Sequence, residues 1–215
     1  MEQILSLYAL PYDPKYPVVC FDERPCFLIG DRVEPQVMQT GQVRKEHDAY
    51  EKLGSCALLA AIEPLTGKRL GQVHPRRTKR EYTLFCQALA DMYPEAIKIK
   101  LVQDNLNTHN TSAFYENLPA DEAFALAERF EFCYTPKSAS WLNMIEIEFS
   151  ALARQCLDRR IPTMAQLERE VLALITERSS KEIKIKWQFS IQSARIKLNS
   201  SYVPVHGDNK KFKDT

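Results

Sequence analysis

Three carboxylates stand where the apolar pattern of the chain would otherwise run on. Asp22 follows the four-residue run Val18-Val19-Cys20-Phe21, and Asp104 follows an apolar stretch that ends in Gln103-Asp104-Asn105. An aspartate just after a strand also serves as a turn or helix-cap residue, and both readings stand for each taken alone. Glu146 says more. At about 100° per residue, Leu142, Ile145, Phe149, Leu152, Ala153 and Cys156 share one arc of a helix running from Ser140 to about Cys156. Glu146 falls at the edge of that arc, and Glu148 projects to the other side. A carboxylate beside a core needs a partner, a shifted pKa or a cation, unless it snorkels at the rim. Three carboxylates on two strands and a helix offer hard oxygen donors, which suit Mg²⁺ or Mn²⁺. Two such ions roughly 4 Å apart activate a nucleophile and stabilise the leaving oxygen in phosphoryl transfer, with no covalent nucleophile from the protein.

The elements that must carry these acids are legible in outline. Val18–Phe21 reads as a short strand, with a second, Cys26–Ile29, returning after a Glu23-Arg24-Pro25 turn. Gln39 to Lys52 is charged and aperiodic, and reads as an exposed loop or hairpin. Ala57–Ile62 is a buried strand, Pro64-Leu65-Thr66-Gly67 a turn, and Arg69–Val73 the return strand. Helical spacing covers Thr78–Met92 through Tyr82, Phe85, Leu89 and Met92. Ile97–Val102 is a strand, and 111–130 one or two helices broken near Pro119. Phe132–Tyr134 is a strand, followed by the Ser140 helix and another from Thr163 to about Arg178. Antiparallel strands first, then strands alternating with helices, predict an α/β domain with a mixed sheet flanked by helices. Residues 1–16 are turn-rich and read as a lead-in. A domain over 17–180 follows, then a basic extension over 181–215, with Trp187 and Phe189 as anchors and its end, past Val205, disordered.

Composition narrows the class. The 215 residues are 45% hydrophobic and 27% charged, which fits a folded single-core protein. Lys and Arg total 29 against 28 Asp and Glu, a net charge of +1 that speaks against a purely electrostatic nucleic-acid binder. The 6 cysteines contain no CxxC pair and read as buried, reduced thiols. The 4 histidines are too dispersed for a zinc cluster. No apolar run approaches the roughly 18 residues of a membrane span, and the N-terminus lacks a signal peptide's basic start, so a cytoplasmic protein is expected.

Three stretches together carry a family resemblance: Val18-Val19-Cys20-Phe21-Asp22-Glu23, Leu101-Val102-Gln103-Asp104-Asn105-Leu106-Asn107-Thr108-His109, and Tyr134-Thr135-Pro136-Lys137-Ser138-Ala139-Ser140-Trp141-Leu142-Asn143-Met144-Ile145-Glu146. They resemble the catalytic domain of DDE transposases, in the bacterial insertion-sequence branch of the mariner-like superfamily, from about residue 17 to Tyr202. The resemblance implies an RNase H-like (retroviral-integrase-like) fold, with Asp22 on the central first strand, Asp104 ending the fourth and Glu146 on the following helix. It implies two Mg²⁺ or Mn²⁺ ions, bridged by Asp22, with Asp104 and Glu146 completing one shell each. Asn105 and His109 match the family's DN-x-x-x-H pattern and would orient the second acid or the scissile phosphate; as helix-start polar residues they also read as caps.

The implied reaction is metal-dependent cleavage of DNA at the ends of a mobile element, then transfer of the exposed 3′-hydroxyl into target DNA, typically at a TA step. The implied partners are the element's terminal inverted repeats, target DNA and, in the synaptic complex, a second copy of the chain. Two departures stand out. The helix-turn-helix region that recognises terminal repeats has no room before residue 17, so a separately encoded part or a truncated remnant is expected. The 41 residues between Asp104 and Glu146 exceed the spacing common in the mariner branch. Lys137 and Trp141, beside the third acid, and Arg76 and Arg77 in the 76–80 cluster are the candidate DNA contacts. Arg44-Lys45 and Arg159-Arg160 are further basic pairs. A non-catalytic remnant that binds DNA or a transposase, and another RNase H-like nuclease, remain alternative readings.

Overall fold

Alternation along two long strands divides the protein into two cores. The computed structural model describes residues 1–33 and 48–212. After helix α1 (Glu2–Tyr8), strand β1 runs unbroken from Val18 to Asp31 and pairs antiparallel with β2 (Tyr50–Ile62), Cys20 opposite Ile62. β3 (Arg69–His74) pairs antiparallel with β2. Helix α2 (Lys79–Met92) then leads to β4 (Ile99–Gln103), which lies parallel to β1. Helices α3 (Ser112–Asn117) and α4 (Ala120–Glu128) precede β5 (Phe130–Tyr134), parallel to β4. The sheet order is β3-β2-β1-β4-β5, a mixed sheet flanked by helices as the sequence predicts. After β5 come a 3₁₀ turn (Ser140–Leu142), α5 (Ile145–Leu152), a π turn (Ala153–Leu157) and α6 (Met164–Ser180). Short helices α7 (Ile191–Lys197) and α8 (Asn199–Tyr202) close the chain.

Successive strand residues face opposite sides. Val19, Phe21, Ala57, Leu59, Leu101 and Ile99 pack against α2, α3 and α4. Cys20, Cys26, Leu58, Ala60, Ile62 and Val102 pack against α1, α5 and α6. Burying a side chain such as Phe21 or Leu58 completely stabilises the fold by about 1.5–3 kcal/mol. Where β3 and α6 meet, Gly71 permits a close approach, since a Cβ there would lie 2.3 Å from the Ile175 methyl. The six cysteines are free thiols, five of them buried. Among the described residues, no helix is long and apolar enough to cross a membrane.

Four sequence readings change. The Glu23-Arg24-Pro25 turn does not exist: these residues continue β1 and pair with Leu59, Leu58 and Ala57. Beyond Cys20 the strand has a ladder partner on one side only, where a proline can sit inside a strand. The Ser140–Cys156 helix is three pieces, of which only Ile145–Leu152 is α-helical. Within residues 1–16, Glu2–Tyr8 form a helix whose Ile4, Leu5 and Leu7 are buried. Past Val205 the described residues form a 3₁₀ turn over Gly207–Phe212 rather than coil. The loop read over Gln39 to Lys52 lies mostly outside the described residues, as do Arg44 and Lys45, while Tyr50 to Lys52 belong to β2. The expected turn after β2 is present: Gly67 takes a φ of +84°, and the Glu63 carboxylate accepts the Leu65 and Thr66 amides at 3.0 Å. Helix α2 begins at a capping box between Thr78 and Glu81.

One buried ionic group ties α5 to the rest. Glu148 is 1% exposed and receives a two-pronged contact from Arg178, Nε to Oε1 at 2.7 Å and Nη2 to Oε2 at 3.1 Å. Arg69 approaches the same carboxylate, Nε to Oε1 at 3.0 Å and Nη2 to Oε2 at 3.1 Å. Arg69 also donates to the carbonyls of Gly67, Arg178 and Ile183, reaching the C-terminal extension. There Trp187 packs edge-on to Tyr8 with centroids 5.3 Å apart, and Arg195 forks onto Glu2 at 2.8 Å. Removing one partner from such a group strands the others. Glu148→Ala should therefore lower unfolding free energy by about 3–5 kcal/mol in urea titration, and Glu148→Gln by less.

Candidate active site

The acids lie where β1 runs on past its pairing with β4, which ends at Gln103. Asp22 lies in β1 just after buried Phe21, opposite Ala60 of β2. Asp104 follows Gln103, the last residue of β4, which β1 flanks on the other side. Glu146 sits in the first turn of α5. Asn143 joins these parts: its side chain is 1% exposed, donates from Nδ2 to the Phe21 carbonyl at 2.8 Å, and its own carbonyl accepts the Glu146 amide at 3.1 Å. One amide thus holds the start of α5 to the residue preceding Asp22. From behind, the Tyr8 hydroxyl donates to the Leu142 carbonyl at 2.7 Å.

Electrostatics show the acids acting on one another. Burial pushes the Asp22 carboxyl up to about 6; the Glu23 amide, donating to Oδ1 at 2.7 Å, opposes this. The charges of Asp104 and Glu146 then both raise it further, and His109 lowers it. Among the described residues, no three His, Cys, Asp or Glu side chains form a ready metal-holding cluster. The charges of Asp104 and Glu146 thus act on Asp22 without the three carboxylates forming a closed set of ligand atoms among the described residues. The donor set itself fits a hard divalent cation: carboxylate oxygens, one of them partly desolvated, whose mutual repulsion a cation would relieve.

His109 is the most constrained group here. Its ring stacks on Tyr82 at 5.0 Å and meets the Phe21 ring edge-on at 5.2 Å. Nδ1 donates to Asp104 Oδ1 at 2.6 Å, and Nε2 lies 3.5 Å from Glu23 Oε2. Burial alone would lower its pKa, but the contacts with Asp104 and Glu23 push it up to about 9, so the ring is a cation at neutral pH. Gln103 braces the same loop, its amide donating to the His109 carbonyl at 2.8 Å while its oxygen accepts from the Tyr82 hydroxyl at 2.8 Å. Asn105 is exposed.

A cleft of about 590 Å³ opens beside Asp104, lined by Asn105, Tyr134, Lys137, Ser138 and Ser140 among others. Lys137 is exposed on its rim, next to Ser138, which is held at a φ of 60°. Trp141 is 46% exposed and packs edge-on to Phe189 of the C-terminal extension, centroids 5.5 Å apart. Arg76 and Arg77 are exposed between β3 and α2, and Arg77 pairs with Glu23 at 3.1 Å. Arg159 and Arg160 are paired with Glu170 and Asp31. The residues that sequence reasoning passed over are Glu23, Asn143 and Glu148. Glu148, placed on the far side of the helix, is the buried one, and Glu146 is only half-buried.

A family model described as "DDE superfamily endonuclease" matches residues 17–168. No curated protein matches in sequence. Among solved structures, the chain is similar to "Mos1 transposase paired-end complex with left transposon end", at 13% identity and a TM-score of 0.44 over 85% of this chain and 60% of that one. It is similar also to "Crystal structure of a pre-cleavage Mos1 transpososome", at 14% identity and a TM-score of 0.44 over 87% and 61%. The chain thus spans about 60% of the length of those proteins.

The raised Asp22 pKa has a consequence for stability. An acid whose pKa rises from 3.8 to about 6 on folding costs stability above the folded value, and the cost fades between the two values as pH falls. Asp22→Asn should therefore raise the metal-free unfolding free energy at pH 7.5, by on the order of 2 kcal/mol. That gain should shrink below pH 6 and vanish near 3.8. Thermal or urea unfolding of both proteins across this range checks it.

Proposed function

The chain belongs to the DDE superfamily endonuclease family, and from that premise we propose that it is the catalytic part of a transposase that cuts DNA strands and transfers their ends during DNA transposition. The observation that supports the reading is that the charges of Asp104, just after β4, and Glu146, in the first turn of α5, both act on Asp22 of β1. In this reading the three acids are the catalytic and metal-holding residues. Divalent cations held there, two Mg²⁺ or Mn²⁺, would activate the attacking water or 3′-hydroxyl and stabilise the leaving oxygen.

The protein's own residues do the rest. His109 holds Asp104 Oδ1, Asn143 sets the position of α5 against β1, and the aromatic walls around His109 keep its ring fixed. Lys137 offers a phosphate contact at the cleft rim and Trp141 a stacking surface. Arg76 and Arg77 extend the basic edge along the start of α2. We assign the catalytic unit to residues 17–180 and the basic extension to 181–215. The partners are the terminal repeats of the element and target DNA, with a second copy of the chain in the synaptic complex. The near-zero net charge favours a helix-turn-helix recognition part supplied separately.

The test is strand cleavage on a duplex carrying the terminal repeats that flank the coding sequence, with Mg²⁺. The native chain, supplemented with any helix-turn-helix product of the overlapping upstream frame, should nick the repeat end. Asp22→Asn, Asp104→Asn and Glu146→Gln should each reduce nicking to background while DNA affinity in a gel-shift assay stays within about twofold. Cutting retained by Asp22→Asn would overturn the assignment. Lys137→Ala should reduce the salt dependence of DNA binding by about one phosphate contact. Trp141→Ala should weaken single-strand binding by about 1–3 kcal/mol.

A further inference from the structure

We propose that Glu23 is a positioning residue for both aspartates, holding Asp22 through its backbone and Asp104 through His109. The inference rests on the function proposed above. Glu23 follows Asp22 in β1, so the pleat turns the two side chains to opposite faces of the sheet. Its backbone N–H donates to Asp22 Oδ1 at 2.7 Å. Its side chain, 7% exposed, goes to the face of Phe21 and α2, where Oε2 lies 3.5 Å from His109 Nε2. The other oxygen, Oε1, is held by Arg77 Nη1 at 3.1 Å. The result is a continuous series: Arg77 on Glu23, Glu23 on His109, His109 on Asp104.

The chemistry of the ring explains what Glu23 adds. Tyr82 and Phe21 fix the ring plane but not which nitrogen faces Asp104. Nε2 is buried and makes no hydrogen bond among the described residues; the Glu23 carboxylate, 3.5 Å away, is the anionic group that faces this edge of the ring and gives it its direction. With Nε2 turned to Glu23, Nδ1 is committed to Asp104 Oδ1, and Asp104 Oδ2 stays outside that bond, in a residue that lines the cleft. A partner that orients a group behind a metal ligand is a recurring requirement of metal sites, and its loss typically lowers metal affinity or activity 10- to 100-fold.

The experiment compares Glu23→Ala and Glu23→Gln with the native chain in three readouts: Mn²⁺ binding followed by electron paramagnetic resonance, the ¹⁵N shifts of the His109 ring, and kcat and KM for repeat-end cleavage. Glutamine keeps an acceptor for Nε2, alanine does not. We expect Glu23→Ala to weaken Mn²⁺ binding and lower kcat by roughly tenfold or more, to move both His109 ring signals, and to leave KM for DNA near the native value. Glu23→Gln should restore most of each. Native Mn²⁺ affinity and unmoved His109 signals in Glu23→Ala overturn the proposal. So does equal impairment of both variants with a lowered thermal midpoint, which makes Glu23 a residue of the fold. If the native chain cuts no DNA, the functional reading fails, while Mn²⁺ binding and the His109 signals still decide the role of Glu23.

Discussion

The Glu148 carboxylate, gripped by two guanidinium groups, is the constraint on which the site's geometry depends. A buried acid and a buried arginine, with a second, half-buried one, are costly to desolvate, and the two hydrogen bonds from Arg178 with the hydrogen bond and close ion pair from Arg69 offset that cost. The contacts come from β3 and from the end of α6, so α5 cannot shift without breaking one of them. Glu146 rides on the same short helix, two residues earlier. Asn143 fixes the other end of that helix to the Phe21 carbonyl. A helix of eight residues contributes little stability of its own, so its place is set by these two polar anchors and by Ile145, Phe149 and Leu152 in the core.

The site runs against the logic of the fold around it. Several buried polar groups elsewhere find partners: Glu63 in backbone amides, Gln103 in Tyr82 and a carbonyl, Arg69 in three carbonyls and an acid. At the sheet end, Asp22 instead sits partly desolvated beside two further negative charges. His109 answers for part of this, through its contact with Asp104 and its charge on Asp22. Uncompensated charge at a position the packing over-determines is a common mark of a functional site, because ligand binding then relieves what folding imposed.

Much of this was legible in the chain. The strand runs before Asp22 and Asp104, the helix over 79–92 and the order of elements follow from periodicity and turn residues, because tertiary packing agrees with local preference there. The errors share a physical origin. Glu23-Arg24-Pro25 has turn composition, yet these residues extend β1, since the strand edge facing away from β2 is open beyond Cys20 and tolerates proline. Read as one strand, β1 would have placed Glu23 on the buried face of Val19 and Phe21. Glu148 was misplaced for a similar reason. The arc was drawn through Leu142, Ala153 and Cys156, which belong to a 3₁₀ turn and a π turn with different angular steps. From Ile145, Phe149 and Leu152 alone, Glu148 lies nearer the apolar centre than Glu146. Partners such as Arg178 and His109 had no local signal, because contacts across 30 or 86 positions are set by topology.

The pleat of β1 does one further thing that composition could not reveal. Adjacent acids on a helix or loop would compete for the same space and the same counter-charge. On a strand they are sent to opposite faces, so Asp22 faces the α5 side while Glu23 faces the aromatic layer under α2. The sheet then separates an acid left beside other acids from one that is paired. His109 reaches around the end of β4 and is the only group among the described residues that contacts carboxylates of both kinds, Asp104 on the cleft side and Glu23 beneath. Balanced overall charge is therefore compatible with a locally acidic cleft: the counter-charges are held in the layers behind it, in Arg77, His109, Arg69 and Arg178, rather than displayed beside the acids.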